Sequence, residues 1–319
     1  MVKKQKKRSA PKKKKTKKKT PPTRQLTRIV ISLLVLLLLV FAAVWLLQLV
    51  LIKKQPLNAT ARHQIQRPAK TEKFRFEVYP HQDVPSAKQQ FKPAIPFSGE
   101  RPKIAIILDD VGYDIGIIKK FLDIDVPITL SILPQSPFQD QSAALAHNAG
   151  YDIMLHLPME PNEYPTVNPG PGTLLTTMPP DELIGLLKKD LDQIPFIQGV
   201  NNHMGSKMTS QAEQMRQIFT VLKQRGLFFV DSRTTAQTIC KASAELLRVP
   251  FEERDVFIDH QHNGDFIYHQ MKELVRIAKA HGQAIGIAHP HKSTYRVLRK
   301  MIPEMKKTVL FVPVSQLVK

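Results

Sequence analysis

The sequence holds a single cysteine, Cys240, among 319 residues. That excludes an internal disulfide framework, which a domain of this size does not need because its own core is large enough. Cys240 has no neighbouring pattern for a nucleophile and reads as a small buried apolar side chain. The only tryptophan, Trp45, lies in an apolar run, so the folded part has none. Acidic residues are absent from residues 1–28, which carry 14 Lys or Arg, and residues 29–52 have no charged residue at all. No internal repeat runs through the chain.

The overall net charge of +20 suggests a nucleic-acid partner until it is divided along the chain. Residues 1–28 contribute +14, residues 53–100 contribute +5, and residues 101–319 only +1. The folded portion is near neutral and has no electrostatic reason to bind DNA or RNA, so no nucleic-acid partner is expected. The run 29–52, with Ser32 and Gln48 as its clearly polar residues, would span about 36 Å as a helix, at about 1.5 Å per residue. That exceeds a hydrocarbon core of roughly 30 Å. The lysine excess on its amino-terminal side places the tail in the cytoplasm and the carboxyl-terminal domain outside. A cleaved signal peptide is the rival, but its apolar region is shorter and ends at small residues, whereas this one ends in Leu-Val-Leu-Ile-Lys-Lys. The sequence therefore predicts a single-pass protein of a bacterial inner membrane with an extracytoplasmic, periplasmic domain. The basic tail would touch anionic lipid headgroups.

Residues 53–100, rich in Gln, Pro, Lys and Ala, read as an extended linker. Within them Lys73–Tyr79 alternates apolar and polar residues as a short strand would. From residue 101 onward, short continuous apolar runs mark strands buried on both faces. They fall at Lys103–Leu108, Ile128–Leu133, Asp152–Leu157, Ile197–Asn202, Leu227–Asp231, Ala284–Ala288 and Val309–Val312. Helix-like stretches at 115–122, 139–148, 180–193, 211–224, 264–280 and 293–301 lie between them. Strands alternating with helices predict parallel β-α units, either a barrel or a doubly wound sheet.

Polar residues gather where the predicted strands end: Asp109-Asp110, His156 through Glu160, Asn201-Asn202-His203, Asp231-Ser-Arg233 and His289-Pro-His291. In parallel barrels the carboxyl ends of the strands converge on one face, and catalysis is placed there. Two histidines with a carboxylate suit zinc or iron with positions left open for water. A second carboxylate would take the proton of that water, so the pattern points to metal-assisted hydrolysis. Asp109 and Asp110 are neighbours on a strand and their side chains should diverge, one toward the metal and one toward the water.

With these segments together, residues 101–319 resemble the divergent polysaccharide deacetylases, relatives of the NodB-type carbohydrate esterases. The residues carrying the likeness are Leu-Asp-Asp, His-Leu-Pro-Met-Glu-Pro, Asn-Asn-His-Met-Gly-Ser, Asp-Ser-Arg-Thr and His-Pro-His. The resemblance implies a distorted (β/α) barrel, which the single transmembrane helix expected from the run 29–52 would precede. It also implies a divalent metal, zinc first among candidates. It makes Asp109 the catalytic base, Asp110 and His156 metal ligands, and His289 the group that protonates the leaving group. Asp231 is implied as the carboxylate that tunes this acid. The usual second metal histidine, four residues after the first, is Glu160, and the usual Arg-x-Pro motif is Asn201-Asn-His203. Either His203 or Glu160 would then complete the ligands. Asn202, Arg233 and His291 are assigned to substrate contact, and the pair His260 and His262 to solvent or the rim. The implied activity is hydrolysis of an acyl group on a cell-envelope polysaccharide or peptidoglycan. The alternative is an inactive glycan-binding or scaffolding module of the cell envelope.

Overall fold

A computed structural model describes residue 31, residues 33–41 and residues 101–319. The chain divides into two compact units, Met1–Phe74 and Arg75–Lys319. In the first, residues 31 and 33–41 are helical with exposed side chains. The basic tail, the rest of the predicted span 29–52, the linker 53–100 and its alternating segment Lys73–Tyr79 lie outside the described residues. Among the described residues no helix is long and apolar enough to cross a membrane.

The second unit alternates strands and helices: β1 (Lys103–Val111), α1 (Ile115–Leu122), β2 (Thr129–Ile132), α2 (Gln139–Asn148), β3 (Ile153–Met159) and α3 (Pro180–Gln193). There follow β4 (Gly199–Met204), α4 (Ala212–Arg225), β5 (Phe228–Asp231), α5 (Cys240–Leu247), β6 (Phe251–Glu253) and β7 (Val256–Phe257). The chain finishes with α6 (Gly264–His281), β8 (Gln283–Ala288), α7 (Lys292–Met305) and β9 (Leu310–Phe311). The spatial order is β6-β5-β4-β3-β2-β1-β8-β7, and every pairing is parallel. β9 pairs with the start of β1 at Lys103 and Ile104, ahead of the residues that pair with β2.

The outermost strands β6 and β7 are consecutive in the chain. Between them the Arg254 amide donates to the Asp231 carbonyl on β5, and the Asp255 amide donates to the Ile285 carbonyl on β8, each at 2.9 Å. Two residues thus carry the chain from one edge of the sheet to the other. The result is a parallel half-barrel. The strands β6 and β7, of three and two residues, are too short to show a period in the sequence, and the eight-residue α5 was not expected. The last helix, expected over 293–301, runs on as α7 through Pro303 to Met305.

Side chains along a strand alternate between faces. Ile104, Ile106 and Leu108 enter the large core against Ile118, Phe121 and Leu274 of the surrounding helices. Ala105 and Ile107 point the other way and pack with Met154, Phe228, Val230, Ile285, Ile287, Val314 and Leu317 inside the curved sheet. Both faces are dry, which is why the strands read as unbroken apolar runs. Gly199 belongs to the inner layer, and a Cβ there would lie 2.2 Å from the Phe228 ring. Helix ends follow local chemistry as well: the Asp114 carboxylate accepts from the Gly116 and Ile117 amides at 2.9 and 3.1 Å, starting α1.

One core feature sets a pH dependence. Asp190 of α3 is fully buried against the backbone of Gly172, and neither carboxylate oxygen has a hydrogen-bond partner of standard geometry. Burial pushes its pKa up to about 7, offset only in part by Gln135 and Lys189. The folded state therefore holds this proton more tightly than the unfolded chain. Stability is fully present below the ordinary carboxylate range near 3.8 and is lost as pH rises toward about 7. At roughly 1.4 kcal/mol per pH unit, the loss reaches about 4 kcal/mol at most. Asp190→Asn is expected to flatten this slope: its Tm should exceed wild type at pH 8 and lose the advantage at pH 4. A wild-type Tm that does not fall between pH 4 and 8 relative to the variant contradicts the assignment.

Candidate metal centre

Two residues beyond the inner apolar layer, the same face of the sheet turns polar. Ile107 is followed by Asp109, Met154 by His156, Gly199 by Asn201, Val230 by Ser232 and Ile287 by His289. Parallel register sets His156 beside Asn201. The ring of polar groups thus lies at the carboxyl ends of the strands, where this fold class places ligands.

Asp109 and Asp110 do not diverge as simple alternation predicts. Pairing between β1 and β2 shifts register between Leu108 and Val111, and Asp110 has φ +53°. A left-handed residue inside a bulge breaks the alternation and turns the second carboxylate to the same side as the first. Aspartate tolerates this conformation better than most residues.

The consequence is a tight triangle of donor atoms. Asp110 Oδ1 lies 3.3 Å from His156 Nε2 and 3.1 Å from His203 Nδ1, and the two ring nitrogens are 3.1 Å apart. All three residues are buried. Asp110 Oδ1 lacks a conventional hydrogen-bond donor despite its burial. Donors held about 2.0–2.1 Å from a tetrahedral zinc ion are roughly 3.3 Å apart, so the triangle fits such an ion. The electrostatics agree. Burial would raise the Asp110 pKa, yet His203 and His156 hold it well below the usual carboxylate range. Burial would likewise lower that of His156, yet Asp109 and Asp110 raise it. The centre favours positive charge.

Asp109 borders the triangle, with Oδ2 at 3.7 Å from His156 Nε2. Burial pushes its pKa up, against the lowering influence of His156 and His289. Asn201 Nδ2 donates to both of its oxygens, at 2.9 and 3.0 Å. On the other side His289 Nε2 is 4.0 Å from Asp110 Oδ2. Its Nδ1 lies 2.9 Å from Asp259 Oδ1, while Asp259 Oδ2 accepts from the His289 amide and from Thr294 Oγ1, each at 2.7 Å. Burial opposes a charge on His289, but the Asp259 carboxylate, with Asp110 and Asp109 adding to it, outweighs burial and the pKa is pushed up to about 10. Asp259, His289 and His291 also form a second group of candidate ligands. Both Asp259 oxygens already accept hydrogen bonds, however, so the geometry is that of a histidine–carboxylate dyad.

The other assigned residues fall elsewhere. Glu160 is outside the triangle: Oε1 accepts from Lys207 Nζ at 2.7 Å, and Oε2 accepts from the Thr176 amide at 2.5 Å and from Thr176 Oγ1 at 2.7 Å. Its carbonyl accepts from the Lys207 and Met208 amides. It staples the loop after β3 to the turn that follows His203. Asp231 faces the helix side with Phe229, accepting from Thr238 Oγ1 at 2.6 Å and the Arg233 amide at 2.8 Å. The carboxylate at His289 is Asp259 instead. Asn202 is also one residue out of phase, bracing β4 to β5 by accepting from the Ser232 amide at 2.9 Å and donating to the Met204 carbonyl at 2.8 Å. Arg233 pairs with Glu253 at 3.0 Å. His291 is half-buried near His289, their ring centroids 5.9 Å apart, and burial pushes its pKa down to about 4. His262 meets His291 edge-on at 4.2 Å, and the exposed His260 packs against Phe266 at 4.4 Å. Sequence reasoning placed Asn201 and Ser232 in the strand-end clusters without giving them a role, and missed Ser131 and Thr294. The signal that could have found Asn201 and Ser232 is phase within their own strands, two residues on from Gly199 and Val230.

The parallel half-barrel matches the α/β fold of the polysaccharide deacetylases. Within that class the chain belongs to the divergent polysaccharide deacetylases, whose family profile matches residues 106–318. It is 34% identical to the uncharacterized protein YibQ of Escherichia coli K12 over 215 residues, 67% of each chain. An uncharacterized protein of Haemophilus influenzae is 29% identical over 221 residues, 69% of this chain and 78% of that one. The crystal structure of an uncharacterized protein from Agrobacterium tumefaciens C58 superposes with a TM-score of 0.66 at 29% identity, covering 70% of this chain and 93% of that one.

Proposed function

We propose that the protein is a membrane-anchored, metal-dependent hydrolase that removes an acyl group from an N-acylated cell-envelope glycan, such as peptidoglycan. The observation that carries this reading is the buried triangle of Asp110, His156 and His203, with the Asp109 carboxylate on one side and the Asp259-paired His289 on the other. When bound, a divalent ion, zinc by its donor set, would polarise the acyl carbonyl and acidify water. Asp109, its proton affinity raised by burial, would take the proton of the attacking water. His289, held by Asp259, would give a proton to the leaving amine. Hydrolysis of the amide then balances: water adds across the C–N bond, acetate leaves, and the amine is freed. Phe257 stacks on the His289 ring, with centroids 5.3 Å apart. The scaffolding alternative would bury these ionisable groups at a cost in desolvation without a task for them.

Anchoring rests on the uncharged run 29–52 and its one-sided lysine excess. The reading is tested by acetate release from N-acetylglucosamine oligomers. The full chain should release acetate, lose that activity to a chelator and regain it with zinc. A chain that takes up zinc but releases no acyl group from any such oligomer would favour the scaffolding alternative.

A further inference from the structure

Asn201 is fully buried at the centre of the polar layer, and every hydrogen-bonding atom of its amide is used. Nδ2 donates to Asp109 Oδ1 and Oδ2 at 2.9 and 3.0 Å, and to Ser232 Oγ at 3.3 Å. Oδ1 accepts from Ser131 Oγ and faces His156 Nδ1 at 3.0 Å. The Asp109 carboxylate orients the amide, since swapping its oxygen and nitrogen would press an acceptor against it. Its oxygen can only accept, so His156 Nδ1 must carry the hydrogen. The lone pair of neutral His156 is thereby fixed on Nε2, the atom that faces Asp110 Oδ1 and His203 Nδ1. The same side chain grips Asp109 through both oxygens without bringing a charge to it.

We propose that Asn201 is a positioning residue that sets the His156 tautomer for metal binding and ties that ligand to the base Asp109. Its functional consequence rests on the hydrolase reading, but its structural content does not. An outer partner of this kind orients a metal histidine and raises its basicity, and losing one typically costs 10–100-fold in metal affinity. Ser131 is the second contact of the Asn201 oxygen, so the acceptor is held in place even before an ion arrives.

The test uses the full chain with 15N-labelled histidine and zinc as the probe. In the zinc-loaded wild type, long-range 1H–15N spectra should place the His156 proton on Nδ1. The metal-free chain should show the same tautomer once alkaline pH has neutralised the ring. Asn201→Leu removes acceptor and donor together and should weaken zinc binding about 10- to 100-fold in chelator competition. Asn201→Asp keeps the acceptor for His156 and Ser131; its second oxygen meets the Asp109 carboxylate, so the pair should share a proton, leaving zinc binding unweakened while the pH profile of acetate release shifts. A merely structural asparagine would weaken zinc binding in both variants alike. A His156 proton on Nε2, equal weakening in both variants, or unaltered zinc affinity in Asn201→Leu would overturn the proposal. If the Leu variant does not fold, the wild-type tautomer and the Asp variant decide. Failure of acetate release with the expected tautomer would count against the hydrolase reading alone.

Discussion

Asp110→Asn is expected to empty the metal centre, while Asp109→Asn is expected to leave the ion bound and abolish turnover. Both are carboxylate-to-amide changes at adjacent buried positions, so the contrast separates two roles rather than two degrees of damage. Asp110 supplies the oxygen of the triangle, 3.1 and 3.3 Å from the histidine nitrogens. A neutral amide is a poor substitute, and the loss of affinity should exceed the roughly 10- to 100-fold cost of disturbing an outer partner. Asparagine rather than alanine is the right replacement, because position 110 has φ +53° and asparagine tolerates it. Asp109 touches the triangle only at 3.7 Å. Its amide variant should lose base catalysis, worth typically 10²–10⁴-fold. His203→Ala should behave like Asp110→Asn. Glu160→Gln should keep the ion and lower Tm instead, because Glu160 is bonded to Lys207 and Thr176. Retention of zinc by Asp110→Asn at wild-type affinity would remove Asp110 from the ligand set.

The second large effect belongs to the dyad. His289→Ala should lower kcat by about 10²–10⁴-fold, the usual contribution of a positioned acid, with zinc content unchanged. Asp259→Asn should act through pH. That carboxylate is the largest of three, with Asp110 and Asp109, that raise the His289 pKa to about 10 against the pull of burial. As the acid must be protonated to act, activity should persist below that pKa and fall above it. Removing the Asp259 charge lowers the pKa, so the alkaline limb should move to lower pH. Asp231→Asn, in contrast, should leave the limb in place and show itself in stability, since Asp231 bonds Thr238 and the Arg233 amide on the far face. A limb that shifts with Asp231 and not with Asp259 contradicts the dyad.

The contrast between these two aspartates shows where sequence reading reached its limit. Parallel β-α units were legible because dry strands leave unbroken apolar runs, and the strand ends were legible because those runs stop at Asp, His and Asn. Which side chain of an adjacent pair faces inward was not legible, because a one-residue change of phase moves it to the other side of the sheet. Asn201 and Ser232 face the site; Asn202 and Asp231, one residue away, do not. Asp110 escaped the same rule through its bulge and left-handed backbone. Asp259 follows an apolar run close enough to reach the face, but its strand β7 has only two residues, too few to fix which way the carboxylate points. The Glu160 position was ambiguous in sequence because a carboxylate can be a ligand or a structural anchor, and only its partners Lys207 and Thr176 distinguish the two.

The central claim is that Asp110, His156 and His203 hold one divalent ion at the carboxyl end of the half-barrel. Crystals of the zinc-loaded protein, measured on both sides of the zinc absorption edge, test it most directly. The account predicts one anomalous peak about 2.0–2.2 Å from Asp110 Oδ1, His156 Nε2 and His203 Nδ1, with Glu160 not coordinating. No peak at saturating zinc and neutral pH, or a peak held by Asp259, His289 and His291 with the triangle empty, would contradict it.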